Sequence, residues 1–125
     1  MQGCVEATLR AGLRFSNVME TWEYEHFPAF EKNPAGRKFN FLGYLDPRDS
    51  ALAIRRALSS SLMGAHAFVI ASEDSVMTRP TKQLLQGFFP QVSYMSGKHA
   101  NASLLSIERA RRVFGFAPRY TWHRV

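Results

Sequence analysis

From Phe39 to Leu45 apolar and aromatic residues crowd together (Phe39, Phe41, Leu42, Tyr44, Leu45), and the run breaks at Asp46-Pro47-Arg48-Asp49. Ala51, Ile54 and Leu58 then recur at i, i+3 and i+7, with Arg55 and Arg56 on the opposite side. That spacing predicts a helix with one buried stripe and two solvent-facing arginines. Asp49 is the expected N-cap, because its carboxylate can accept backbone N–H groups that a first helical turn leaves open. The whole stretch reads as a strand feeding a helix.

The flanking patterns extend this picture. Residues 2–11 fit a short helix or a strand, and Gly12–Val18 fits a strand that ends at polar Asn17. Open α/β sheets bind ligands at strand carboxyl ends, so Asn17 is a candidate contact; the plainer reading is that it only hydrogen-bonds the next loop. Met19–Lys38 is aromatic and charged, with Pro28 and Pro34 as breakers, and reads as a lid packed on the sheet. His66–Ala71 is apolar without alternation, as in a parallel strand buried on both faces. With the helix before it, this strand completes the second half of a βαβ unit.

A further helix is expected from Thr78-Arg79-Pro80, with Leu84, Leu85 and Phe88 inward and Pro90 ending it. Val92–Met95 fits a short strand. Ser106 should cap a last helix with Ile107, Ala110, Val113 and Phe114 on one face, and Gly115 falls where a left-handed residue closes it.

Composition narrows the class. The chain of 125 residues is 46% hydrophobic, enough to bury a core as one domain over 1–125. No apolar run approaches the roughly 20 residues of a membrane helix, and the opening residues do not pattern as a signal peptide. With the single Cys4 this gives an expected cytoplasmic location and no internal disulfide. The net charge of +6 raises nucleic acid as a partner. Solvated helix faces explain it more simply, since no zinc-finger, RNA-recognition or basic-zipper pattern accompanies it.

Candidate chemistry is sparse. His26, His66, His99 and His123 lie far apart with no metal-ligand spacing, so no metal site is expected. Tyr94 and Lys98 have the Y-x-x-x-K spacing that on a helix sets a lysine one turn from a phenol. Gly97 inside the span and Pro90 before it argue against a helix there, and the match reads as coincidence. There is no G-x-S-x-G elbow and no phosphate-cradling glycine loop.

Four segments, in order, resemble extended short-chain dehydrogenases/reductases, the NAD-dependent epimerase/dehydratase family. Gly12–Val18 (GLRFSNV) is similar to the strand after that family's catalytic helix. Phe41–Leu58 (FLGYLDPRDSALAIRRAL) resembles its Y-(V/I)-D-x-R-D-x-A segment. His66–Pro90, with Arg79-Pro80-Thr81, looks like the next strand, loop and helix. Ser106–Trp122 (SIERARRVFGFAPRYTW) looks like the closing K-A-R-x-L-G-(W/F)-x-P-R element, with Arg109 where lysine is usual.

The resemblance implies an α/β, partial Rossmann-like fold: the last parallel strands plus a smaller C-terminal substrate-binding portion. It implies the substrate-binding part of an NAD(P)-dependent oxidoreductase. The family's glycine-rich turn and catalytic Tyr/Lys helix precede the strand that Gly12–Val18 matches, and this sequence has neither. No catalytic or cofactor-binding residue is therefore carried over, and the chain alone is expected to bind no NAD or NADP and to be inactive.

Asn17 matches the Asn of the family's R-x-x-N element, a substrate-phosphate contact in nucleotide-sugar members; Arg14 and Asp49 match structural positions. The segment Trp22–Phe30 and the loop Ser72–Arg79 would border the cleft, which makes Asn17, Trp22, Tyr24 and Arg79 the expected substrate-binding residues. Where nucleotide-sugar enzymes continue Val-Tyr-Gly-Pro, this chain has Val18-Met19-Glu20-Thr21, which points away from such a substrate. The partners implied are a small hydroxy or carbonyl compound, a sugar among them, and an N-terminal half or a second copy. A free-standing interaction module and a basic nucleic-acid binder are the alternatives.

Overall fold

Gly64–Ile70, rich in small and apolar residues, forms strand β2 and pairs in parallel with Leu9–Phe15, strand β1, in a computed structural model that describes residues 9–93 and 99–124. The register sets Leu13 opposite Phe68 and Phe15 opposite Ile70 on one face, and Gly12 opposite Ala67 and Arg14 opposite Val69 on the other. Parallel strands need a long crossover. Here it carries 3-10 turns at Thr21–Lys32 (η1) and Pro34–Asn40 (η2), then helix α1, Pro47–Ser59. Helices α2 (Thr81–Phe88) and α3 (Glu108–Phe114) and a last 3-10 turn, Trp122–Arg124 (η3), follow β2.

The mixed α/β class is as expected, with a two-stranded parallel sheet. Two strands are too few to define a Rossmann-like sheet. Among the described residues no helix is long and apolar enough to cross a membrane.

Phe39–Leu45 departs from expectation. Phe41 and Leu42 both adopt positive φ, 57° and 61°, which no extended strand accommodates. What survives is a short ribbon. Leu45 N–H donates to the Asn17 carbonyl at 2.9 Å, Met19 N–H donates to the Leu45 carbonyl at 3.0 Å, and Ser72 N–H donates to the Tyr44 carbonyl at 2.9 Å. A bridge between Val18 and Leu45 is all the pairing that results. A Cβ on Gly43 would stand 2.8 Å from Leu105 Cδ1 and 2.9 Å from Ser16 Oγ, so a larger residue here would have to displace those side chains.

Helix α1 begins earlier than expected. The N-cap is Asp46, whose Oδ1 accepts the Arg48 N–H at 2.9 Å, and Pro47 takes the first helical position. Asp49 lies inside the first turn, fully buried. The buried face is Asp49, Ala53 and Ala57, while Ile54 and Leu58 are 44% and 81% exposed and Ala51 is exposed too. Small side chains let the helix approach the sheet closely, so the inward face is the one of least bulk.

Two apolar clusters share the ribbon. Tyr44 packs with Met19, Tyr24, Phe27, Leu42 and Met77, and its neighbour Leu45 with Ala53, Phe68, Ile70 and Phe116. Adjacent residues of an extended segment point to opposite sides, and the ribbon uses this to join both clusters.

Helix α2 starts just after Pro80, and Leu84 and Leu85 are buried as expected. Ser106 Oγ accepts the Glu108 N–H at 3.3 Å, and Gly115 closes α3 at φ 69°, both near expectation. Val113, expected inward, is 38% exposed. Val92 and Ser93 are not in a strand. Cys4, residues 2–8, and Tyr94 through Lys98 lie outside the described residues, so the expectations placed on them are not addressed.

Candidate functional site

Beyond the carboxyl end of β2 the chain turns through Ser72–Arg79, the loop expected to border a cleft, and three acidic side chains around it organise the tail. Asp74, 3% exposed, is the centre. Its Oδ1 accepts the Tyr44 hydroxyl at 2.7 Å, and its Oδ2 accepts the Thr121 hydroxyl and meets His123 Nδ1. His123 Nε2 stands 3.2 Å from the Met77 carbonyl, and the Tyr44 oxygen accepts the Trp122 N–H at 3.0 Å. Burial pushes the Tyr44 phenol above its usual range and the Asp74 carboxylate adds to the rise, so Tyr44 stays protonated and donates.

Asp46 is the second centre. It is fully buried and holds the Tyr24 hydroxyl on Oδ2 and both Arg48 Nε and Nη2 at 2.9 Å. Burial alone would raise its pKa, but the bonds from Arg48 and Tyr24 outweigh that and hold the carboxyl below its usual range. The Arg48 guanidinium lies 3.6 Å from the Tyr120 ring centroid, a cation–π contact. Asp49 is the third, and accepts the backbone N–H groups of Arg119 and Tyr120 at 2.9 and 3.1 Å.

Against Asp74 lies a cavity of about 310 Å³, lined also by Glu73, His99, Asn101, Pro118, Arg119, Tyr120, Thr121 and His123. Its size suits a small ligand. Both ring nitrogens of His123 are engaged by protein oxygens, Nδ1 by the Asp74 carboxylate and Nε2 by the Met77 carbonyl, which orients the ring. Among the described residues no group of three or more His, Cys, Asp or Glu side chains is placed to hold a metal ion.

The expected substrate-binding residues do not meet in this cavity. Tyr24 is 4% exposed, its hydroxyl spent on Asp46, so it is a core residue rather than a cleft contact. Arg79 is held by Glu31, with Nε donating to Oε2 at 2.5 Å, and does not line this cavity. Trp22 is 65% exposed on η1. Asn17 is half-buried two residues beyond β1, and its backbone carbonyl accepts the Leu45 N–H at 2.9 Å.

Sequence reasoning missed Tyr44, Thr121 and His123 as partners of Asp74. They are 30, 47 and 49 positions away from it, and no local spacing signals such a meeting. The usable signal was the Ser72–Arg79 loop, which supplies Glu73 and Asp74 to the cavity. Comparison with protein-family models, with curated proteins and with solved structures finds no match to this chain.

Proposed function

We propose that this chain is the substrate-binding portion of an NAD(P)-dependent epimerase/dehydratase-like oxidoreductase, working with a cofactor-binding half that supplies the glycine-rich turn and the Tyr/Lys pair. The observation that supports it most is the sheet. Two parallel strands joined through α1 have α1 and α3 against the face of Leu13, Phe68 and Ile70, while Arg10, Gly12, Arg14 and Ala65 on the other face stay exposed. Purely parallel sheets are found with both faces covered, and two strands alone are marginal. Such a unit is suited to extension by further strands beside β1, whose other edge no described strand covers. The order of the four family-like segments adds to the reading, and the cavity at Asp74 offers a small hydroxy or carbonyl compound a polar wall.

Three measurements test it together. NADH fluorescence, which rises when the nicotinamide ring leaves water, should not change when the chain alone is added; a saturable rise at micromolar concentration overturns the division of labour. The reading frame upstream of the Met1 codon should encode a glycine-rich turn and a Y-x-x-x-K helix. An upstream sequence without these, together with a chain that scatters as a dispersed monomer at high concentration, overturns the reading.

A further inference from the structure

The net charge of +6 is not spread evenly over the ion pairs. Among the described residues, Arg48 pairs with Asp46, Arg79 with Glu31, and Arg111 with Glu73 and Glu108. Arg55, Arg56 and Arg119 enter none, yet they converge. On α1 the adjacent Arg55 and Arg56 face outward, and no acidic residue follows Asp49 in that helix. Asp49 brings Arg119 beside them by accepting the backbone N–H groups of Arg119 and Tyr120.

Two adjoining grooves result. One of about 240 Å³ reaches from Arg48 and Tyr120 to Arg55, and one of about 370 Å³ from Arg55 to Arg56 and Ser59; Leu52, Arg55 and Arg119 line both. Among the described residues the single carboxyl group lining these grooves, Asp49, is fully buried, and burial raises its pKa above the usual range. Its two oxygens are taken up by the backbone N–H groups of Arg119 and Tyr120, and it forms no ion pair with these guanidinium groups. Three unpaired guanidinium groups around one concave surface repel each other until an anion bridges them, and each can present a planar fork to phosphate oxygens.

We propose that this groove on the outer side of α1 binds a compact ligand carrying two or more phosphate groups, with Arg55, Arg56 and Arg119 as donors. A nucleic-acid strand fits less well. Among the described residues the one aromatic ring lining the groove, Tyr120, already has Arg48 over it, which takes the face a stacked base would need. Arg119 and Tyr120 also line the Asp74 cavity, but the two readings give different signals: a phosphate ligand held here leaves NADH fluorescence unchanged, so either can fail without the other.

The experiment is titration calorimetry on the full chain with inorganic pyrophosphate, with orthophosphate, and with a single-stranded oligonucleotide of about 16 nucleotides. Pyrophosphate should bind saturably and about tenfold tighter than orthophosphate. Arg55→Gln and Arg119→Gln should each weaken it by about tenfold, while Arg10→Gln, on β1, should not. Arg119→Gln keeps the backbone N–H that Asp49 holds, and circular dichroism confirms that each variant is folded. No saturable binding of pyrophosphate up to about 10 mM, or equal weakening by Arg10→Gln, overturns the site. So does an oligonucleotide that binds more tightly and is not displaced by pyrophosphate.

Discussion

Asp49 and Arg119 are 70 positions apart, yet the Asp49 carboxylate accepts the Arg119 backbone N–H at 2.9 Å, and with it the Tyr120 N–H at 3.1 Å. One buried side chain in the first turn of α1 thereby fixes the segment after Pro118. Hydrogen bonds to charged groups are worth about 1.5–3 kcal/mol each. Asp49→Ala should lower the unfolding free energy by about 3 kcal/mol or more in urea, because two backbone donors lose their partner. Asp49→Asn, which retains one acceptor oxygen, should fall between the two.

Glu31 ties η1 to the segment ahead of α2. Burial pushes its carboxyl up, but hydrogen bonds from Thr78 and Arg79 outweigh that and hold it at about 2, against an ordinary 4.5. A carboxyl depressed by folding contributes stability above its unfolded pKa and loses it as pH falls through the folded one. The contribution should be intact above pH 4.5 and fade toward pH 2. Glu31→Gln should lower the melting temperature at pH 7, and the gap to the parent chain should narrow through that window.

Phe27 is fully buried and touches the rings of Tyr24, Phe30, Tyr44 and Trp122, with centroids 5.2–5.4 Å away. Phe27→Ala should cost about 3–5 kcal/mol in denaturant unfolding, since a rigid aromatic cage closes poorly around the void. Phe27→Leu should recover most of it.

Gly115 ends α3 at φ 69°, and a Cβ there would meet nothing within 4 Å. Crowding is therefore not the issue. Gly115→Ala should cost about 1 kcal/mol from left-handed backbone strain alone, and Gly115→Asn less, measured as a shift in urea midpoint.

Local periodicity made part of this protein legible. The apolar run at His66–Ala71, Pro47 at the start of α1, Pro80 just before α2, and Gly115 behind α3 depend on residues within one or two turns of each other, and β2 and the three helices lie near where these signals put them. The α1 face was misread because periodicity weighs size. Ile54 and Leu58 outweigh Ala53 and Ala57 in any hydrophobic count, but the sheet accepts only the small face.

Tertiary structure alone decided the rest. Two left-handed residues, Phe41 and Leu42, stop a strand that composition favours. The Asp74 cluster draws on Tyr44, Thr121 and His123, and the arginine groove needs a tail residue clamped beside α1. The sequence by itself determines which side chains carry charge, bulk or a hydroxyl, and the turn of helix or strand each belongs to. Which carboxylate meets which donor depends on loop closures over tens of residues, and these are set by packing the two clusters together rather than by spacing along the chain.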